Sequence, residues 1–168
     1  MPSTEAHQVL AYGSNMDLTD LRRWMLEHLG TEPTVYSWES ALLKDYALGW
    51  NYRSVARGAG AANAIAAPQK ALPGLILSVD QETFQAIDKK EGHPNRYSRG
   101  EAPLQVELSS KESTSAWVYR VTPALLQKQP VWPTEAYLNL IKKAANEHAF
   151  PSWYIEELAA TPTLSASI

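Results

Sequence analysis

The stretch that decides the fold covers Leu75–Gly92 and reads LILSVDQETFQAIDKKEG. Its first five residues are mostly apolar and predict a buried strand. A helix follows, because Asp80 is a favourable N-cap and apolar side chains three residues apart give the next segment one dry face. Gly92 is the expected residue just past the end of that helix. The sequence therefore predicts a strand that leads directly into a helix ending at Glu91.

Glu91 stands out in this helix, because a carboxylate at a helix C-terminus faces the partial negative charge of the backbone carbonyls. That repulsion raises the pKa of an acid, and a more basic carboxylate suits a general base. A solvated glutamate on the surface would occupy the same position at little cost. From the residues alone, Glu91 is a candidate catalytic base or an ordinary surface acid.

The composition limits the classes of protein that this chain can represent. Its 168 residues suffice for one domain, 1–168, with a core at about 8–158 and a C-terminal tail at 161–168. A net charge of -3, with basic residues never clustered beyond pairs, disfavours a nucleic-acid partner. Cysteine is absent, which excludes disulfides and thiolate catalysis. No apolar run approaches the ~20 residues of a membrane span, so we expect a cytoplasmic protein with no membrane partner.

The second candidate site is the segment Tyr12–Asn15, which joins a predicted strand at 8–12 to a predicted helix that closes at Gly30. Asp17 and Asp20 form the expected cap pair of that helix. A glycine turn at a helix N-terminus offers free backbone N–H groups to a carboxylate or an oxyanion. A plain tight turn explains the same residues, since Gly-Ser-Asn is common turn chemistry.

The remaining pattern is a mixed order of strands and helices rather than a strict alternation. Small residues at 56–62 allow close approach of the backbone to another strand or to a ligand, and Asp45 is expected near a turn. The other predicted elements are strand-like residues 35–53, strands at 104–108 and 116–121 joined by a polar turn, a helix at 134–149 and a helical piece from Pro151.

Other chemical candidates are weaker. The four histidines show no spacing typical of metal ligands, so we expect no metal site. Tyr97 lies six positions beyond Glu91, and it either lines a site beside that residue or begins the next strand. Both interpretations of Tyr97 remain open on the residues alone.

Taken together, these segments resemble the gamma-glutamylcyclotransferase-like family. Each short motif is common, but their order and separation are specific, and the likeness spans roughly residues 9–158. The segments that carry it are Tyr12–Asn15, 41–46, 63–66, 73–76, 88–92 with Tyr97, 116–119, 133–137 and 150–155.

The resemblance implies an α+β fold, described as a small closed mixed β-barrel with flanking helices, and one pocket between the Gly13 loop and Glu91. It implies a cyclotransferase, of acyltransferase or lyase type, that cleaves a gamma-glutamyl amide into 5-oxoproline and an amine or amino acid. No cofactor is implied, the partner is the small-molecule substrate, and the oligomeric state is left open. The roles implied are acid–base catalysis for Glu91 and substrate binding for Tyr12, Gly13, Ser14, Asn15 and Tyr97.

Two departures bear on the substrate. Residues 93–96 are polar and bulky, so the entrance of the pocket is expected to select a substrate other than free gamma-glutamyl amino acids. The loop ends in Asn15 where the glutathione-specific branch has leucine, which makes glutathione a less expected substrate. A hydrolytic amidase or acyltransferase using the same pocket, and a non-catalytic module that binds a carboxylate-bearing small molecule, remain as alternatives.

Overall fold

A computed structural model describes residues 5–164 of the chain. Of the expected tail at 161–168, only residues 161–164 belong to the described part, and there the Leu164 N–H donates to the Pro133 carbonyl oxygen at 2.7 Å. Residues 165–168 lie outside it. Within residues 5–164, no helix combines the length and the apolarity that crossing a bilayer requires.

The main sheet has five strands in the order β1-β5-β2-β7-β8, and all its pairings are antiparallel. Two short ladders, β3 with β4 and β6 with β9, lie beside it. The strands are β1 (His7–Ala11), β2 (Val35–Gly49), β3 (Arg53–Ser54), β4 (Ala59–Gly60), β5 (Asn63–Val79), β6 (Tyr97–Ser98), β7 (Leu104–Leu108), β8 (Ser113–Ala116) and β9 (Arg120–Val121).

The long strand β5 pairs with β1 on one side and β2 on the other. Its second half, from Leu72 to Val79, is buried throughout, as expected of a strand covered on both faces. The sequence predicted a strand only from Leu75, but Pro73 and Gly74 lie inside β5. A side chain at position 74 would crowd the Ala11 carbonyl oxygen at 2.7 Å, so the glycine allows β1 to approach.

Among the described residues, four α-helices flank the sheet: α1 (Leu18–Leu29), α2 (Gln81–Glu91), α3 (Glu135–Glu147) and α4 (Ser152–Ala159). The prediction for α2 is confirmed at both ends. The Asp80 carboxylate accepts from the Thr83 N–H at 2.8 Å, and Gly92 ends the helix in the left-handed conformation at φ 70°. In α1, Asp17 is the cap and Gly30 the terminator, as predicted, but Asp20 does not serve as a capping side chain.

The expectation of a closed barrel is wrong, because the sheet is open. Its edges are β1 and β8, and they meet only near Trp117, which exchanges two backbone hydrogen bonds with Gln8 and Leu10 at 2.9 Å. A single parallel bridge, Val9 with Trp117, results. The chain then leaves the sheet edge so that β9 can pair with β6. Closure would require a continuous ladder between β1 and β8, and the described residues contain none.

Two smaller differences concern turns. The predicted strand at 116–121 is divided, because β8 ends at Ala116 and β9 starts at Arg120, and the turn before β8 is shorter than expected. Asp45 has a positive φ of 66° at an irregularity inside β2, rather than near a turn between elements.

Gly60 provides a test of how the segment before α3 docks. A Cβ at this position would overlap the carbonyl oxygen of Val131, a backbone atom that cannot rotate away. We expect Gly60→Ala to lower the free energy of unfolding by about 2 kcal/mol or more, as over-packing does elsewhere. Gly58→Ala is the matched control, because Gly58 has nothing within 4 Å and only its positive φ of 68° opposes alanine, a cost of about 1 kcal/mol. Urea denaturation measures the free energy of unfolding of both variants. A larger loss in Gly58→Ala than in Gly60→Ala would contradict this docking.

Candidate active site

A cavity of about 310 Å³ opens where β1 ends, between α1, the β3–β4 region and the last turn of α2. Its lining includes all six residues that the sequence singled out, namely Tyr12, Gly13, Ser14, Asn15, Glu91 and Tyr97. These residues come from three separate parts of the chain, so the fold alone brings them together. The small residues at 56–62 also reach this wall, through Ala56, Ala61 and Ala62.

Glu91 occupies the last position of α2 and is partly buried. Its carboxylate oxygen Oε1 accepts a hydrogen bond from the Asn15 side-chain Nδ2 at 2.8 Å. The two candidate sites, the end of α2 and the Gly13 loop, are therefore joined by a direct side-chain contact.

The pKa of Glu91 is raised above its ordinary value, and burial is the main cause. The nearby positive charge of Lys90 opposes this rise, and so do the hydrogen bond from Asn15 and the charges of Arg96 and Arg57. The direction agrees with the sequence argument, but the physical cause is desolvation of the carboxylate rather than the helix dipole.

Three charged residues that the sequence analysis missed stand beside Glu91. Lys90 donates to the Asp20 carboxylate at 3.1 Å, and Arg57 donates to the same oxygen at 2.9 Å. Burial alone would raise the pKa of Asp20, yet the two cations outweigh it and hold that pKa below its ordinary value. The sequence pattern predicts Asp20 as part of a helix cap pair, and it places Lys90 only in the last turn of α2, where a cation is favourable. Neither local pattern indicates a contact across 70 residues.

Tyrosine hydroxyls support the backbone on the inner side of the cavity. Tyr97 donates to the Ala62 carbonyl oxygen at 2.6 Å, and the Tyr137 hydroxyl accepts from the Ala62 N–H at 3.0 Å. The Tyr12 hydroxyl accepts from the Ala64 N–H at 3.2 Å and donates to the carbonyl oxygen of Tyr119. Burial raises the pKa of Tyr12 and of Tyr97 well above the ordinary value, and that of Tyr137 to about 12, so all three are neutral phenols at physiological pH.

Both interpretations of Tyr97 apply. It starts strand β6, paired with Val121, and its side chain lines the cavity.

The Gly13 loop continues into a short 3-10 helix, Ser14–Met16, before α1 starts. In the described part of the chain, no backbone or side-chain acceptor pairs with the N–H groups of residues 13–15. Free N–H groups on successive residues of a turn can together bind an anion. Asp17 caps α1 itself, so the loop does not lie at the open end of that helix. Gly13 has a φ of -120°, and its lack of a side chain matters because a Cβ would lie 3.0 Å from the Tyr137 hydroxyl.

No candidate metal-binding cluster occurs among residues 5–164. Nowhere in that range do three histidine, aspartate or glutamate side chains group closely enough to hold an ion.

A model of the AIG2-like family matches residues 72–158, just over half of the chain. The chain belongs to the AIG2-like family. The matched region of this AIG2-like chain contains α2 with Glu91 and also Tyr97, whereas the Tyr12–Asn15 loop precedes it. No curated protein matches the sequence at a significant level.

Solved structures share the fold over nearly the whole length. A gamma-glutamyl cyclotransferase superposes with a TM-score of 0.76 at 19% identity, covering 97% of this chain and 92% of that one. An uncharacterized protein from Homo sapiens gives 0.76 at 20% identity with the same coverage of 97% and 92%. A glutathione-specific gamma-glutamyl cyclotransferase from yeast gives 0.61 at 13% identity, covering 92% and 94%. At these identities the likeness establishes the fold. The match to the AIG2-like family model, together with this shared fold, confirms the family resemblance drawn from the sequence.

The raised pKa of Glu91 has a consequence for stability. A carboxyl whose folded pKa exceeds its unfolded value destabilises the folded state wherever it must ionise, that is, above the unfolded value of ~4.3. We therefore expect Glu91→Gln to melt at the same temperature as the wild type or slightly higher at pH 7. The difference should shrink as the pH falls through the folded pKa towards the unfolded one. Thermal melts of both proteins between pH 4 and pH 8 measure this, and a variant clearly less stable at pH 7 would show Glu91 to be a stabilising, paired acid.

Proposed function

We propose that this protein is a cyclotransferase that cleaves a gamma-glutamyl amide by attack of the substrate's own α-amine on its γ-carbonyl. The products are 5-oxoproline and an amine or amino acid. The observation that carries the proposal is that Glu91, a carboxylate of raised pKa, lines the same cavity as residues 13–15, whose N–H groups have no acceptor within the described part of the chain. Membership of the AIG2-like family and the fold shared with gamma-glutamyl cyclotransferases support it.

The proton transfers suit a single carboxylate. The α-nitrogen enters as an ammonium, and it must lose a proton before its lone pair can attack the γ-carbon. Glu91 accepts that proton. When the tetrahedral intermediate collapses, the bond from the γ-carbon to the leaving nitrogen breaks and the new lactam bond remains. The α-nitrogen loses two protons in total, and both end on the leaving nitrogen, which departs as an ammonium ion. No oxidant, metal or cofactor enters this balance.

Negative charge on the substrate would be held by the Gly13 loop. Backbone N–H groups that are already fixed in space stabilise a carboxylate or a developing oxyanion without reorganisation. Because nucleophile and electrophile belong to one molecule, the protein's main task is to hold the glutamyl chain folded back on itself. A cavity of about 310 Å³ is at the small end of the range for small-molecule sites, in keeping with a substrate of this size.

Product analysis separates the three candidate functions. Purified protein would be incubated with a panel of gamma-glutamyl amino acids, gamma-glutamyl amines and glutathione, and the products identified by mass spectrometry. Formation of 5-oxoproline from any member supports the cyclotransferase. Release of free glutamate would instead indicate a hydrolase in the same pocket, because water would have replaced the tethered amine. Binding of panel members without any product would indicate a binding module.

Glu91→Gln tests the acid–base role. The amide keeps the shape and the reach of the side chain but cannot accept the ammonium proton. We expect the rate of 5-oxoproline formation to fall by ~10²-fold or more, with the affinity for product nearly unchanged. Exposed Glu82, on the first turn of the same helix, supplies the control Glu82→Gln, which should keep the wild-type rate. A Glu91→Gln enzyme with more than about a tenth of the wild-type rate would remove Glu91 from the role of base.

Gly13→Val tests the loop as the anion site. The added side chain would press on the Tyr137 hydroxyl and narrow the approach to the N–H groups, so the affinity for 5-oxoproline should fall. Gly13→Ala adds only the Cβ and should have a smaller effect. Isothermal calorimetry on folded variants measures both, and equal affinity in wild type and Gly13→Val would place the ligand elsewhere.

A further inference from the structure

Lys90 is buried beside the Gly13 loop, and only 7% of its side chain is exposed. Its ammonium group lies 2.6 Å from Asn15 Oδ1, 3.1 Å from an Asp20 carboxylate oxygen and 3.4 Å from Ser14 Oγ. An ammonium has three N–H donors and no acceptor. All three donors therefore have partners, and the shortest contact is the one to the Asn15 amide.

We propose that Lys90 is a positioning residue of this site: it fixes the Asn15 side-chain amide so that Nδ2 donates to Glu91 Oε1, and it thereby leaves Glu91 Oε2 as the oxygen that exchanges protons with the substrate. The role of Glu91 Oε2 rests on the proposed function. The positioning of the Asn15 amide concerns only the arrangement of three side chains and can be tested without any substrate.

The orientation of the Asn15 amide follows from its two neighbours. A side-chain amide has one end that accepts and one end that donates, and the two ends look alike in shape. Lys90 can only donate, so the amide oxygen must face it. The Glu91 carboxylate can only accept, so the amide NH₂ must face it. Without Lys90, only the Glu91 carboxylate would hold the amide in this orientation, and once Glu91 is protonated it could donate to the amide oxygen, so the amide could turn by half a rotation.

The contacts favour a positioning role for Lys90 over a chemical one. An amine that attacks or removes a proton needs a free lone pair, whereas three acceptors here occupy the N–H donors of Lys90. Burial lowers the pKa of Lys90 below its ordinary value, while the charges of Glu91 and Asp20 favour its ammonium form. Asp20 keeps it in place and is itself held by Arg57 at 2.9 Å. A continuous series of side-chain hydrogen bonds therefore runs from the β3–β4 turn to the end of α2. It connects, in order, Arg57, Asp20, Lys90, Asn15 and Glu91.

Lys90 also acts on the charge of Glu91 directly. Among the groups that lower the pKa of Glu91 against the effect of burial, the charge of Lys90 is the strongest. Loss of this lysine should therefore make the carboxyl harder to ionise, both through the lost charge and through the freed amide. The other titratable or charged groups that interact with Glu91 are Arg57 before β4, Arg96 after α2, and the phenols Tyr12, Tyr52, Tyr97, Tyr119 and Tyr137.

The first test uses the wild-type protein. The NH₂ signals of Asn15 are followed by ¹⁵N–¹H NMR as the pH is varied, with the ¹³C signal of the Glu91 carboxyl recorded in parallel and assigned by Glu91→Gln. We expect the NH₂ protons to shift with the same midpoint as the Glu91 carboxyl, since they donate to it. Asn15 NH₂ signals that do not follow the Glu91 titration would mean that the amide faces the other way, and would overturn the proposal.

The second test removes the ammonium. Lys90→Met keeps a long unbranched side chain, and Asp20 retains Arg57 as a partner, so the fold has a remaining ion pair at this point. Lys89→Met is the matched control, because it removes the same charge from an exposed neighbour on the same helix. We expect the midpoint of the Glu91 titration to rise by about one pH unit in Lys90→Met and to stay at the wild-type value in Lys89→Met. Equal midpoints in the two variants would overturn the proposal, and if Lys90→Met does not fold, the wild-type titration decides.

Activity provides the third test and separates this inference from the proposed function. If 5-oxoproline is formed, the acidic limb of kcat/KM should move to higher pH in Lys90→Met by the same amount as the NMR midpoint, with the limb of Lys89→Met unmoved. If the acidic limb of kcat/KM stays in place while the NMR midpoint of the Glu91 titration moves, the carboxyl that Lys90 influences is not the one that reacts, and that part of the proposal is overturned. If no protein forms 5-oxoproline, the proposed function fails, and the two NMR measurements still decide whether Lys90 positions Asn15.

Discussion

The pairing of β1 with the second half of β5 is the constraint on which the site depends. Ala11 lies opposite Leu75 and His7 lies opposite Val79, so β5 leaves the sheet at the far end from the Gly13 loop. Helix α2 then runs back towards the Gly13 loop. Its 11 residues span about 16 Å, and five paired residues of a strand span about 17 Å. Because the two lengths match, the last residue of α2 arrives level with the first residues after β1, and Glu91 meets Asn15.

This length match explains why both ends of α2 are strictly defined. Asp80 starts the helix one residue after β5, and Gly92 ends it one residue after Glu91. A helix one turn longer or shorter would move the carboxylate by about 5.4 Å, beyond hydrogen-bond reach of the loop. The stop and start signals of α2 are therefore part of the geometry of the site as well as of the fold.

The same local signals explain what the sequence could and could not predict. Helix α2 was predictable with its ends because its cap and terminator are encoded within 13 residues. The run of β5 through Pro73 and Gly74 was not, since local rules treat this pair as a break and the pairing with β2 and β1 overrides them. The open sheet was missed because closure depends on where the chain turns after Trp117. Within the site, Glu91 and the Gly13 loop were identifiable from local pattern and resemblance. Asp20, Lys90 and Arg57 meet only in the folded chain, and no local pattern links them.

Placing four charges together at a largely buried site is costly, because each ion loses part of its hydration. Here the charges balance, with Lys90 and Arg57 opposite Asp20 and Glu91, and hydrogen bonds join them in sequence. The balance sets the chemistry of Glu91. Burial alone would favour its protonated form, while Lys90 and the Asn15 amide favour the ionised form, so the carboxyl is more basic than a free glutamate yet can still ionise.

The backbone on the other side of the cavity is held in a corresponding way, since neutral phenols fix Ala62 through both its N–H and its carbonyl oxygen. The proposed reaction within one folded substrate would gain most from surroundings that are already in place before the substrate binds. This arrangement supplies such surroundings from two sides, with charge balance around Glu91 and neutral hydrogen bonds around Ala62.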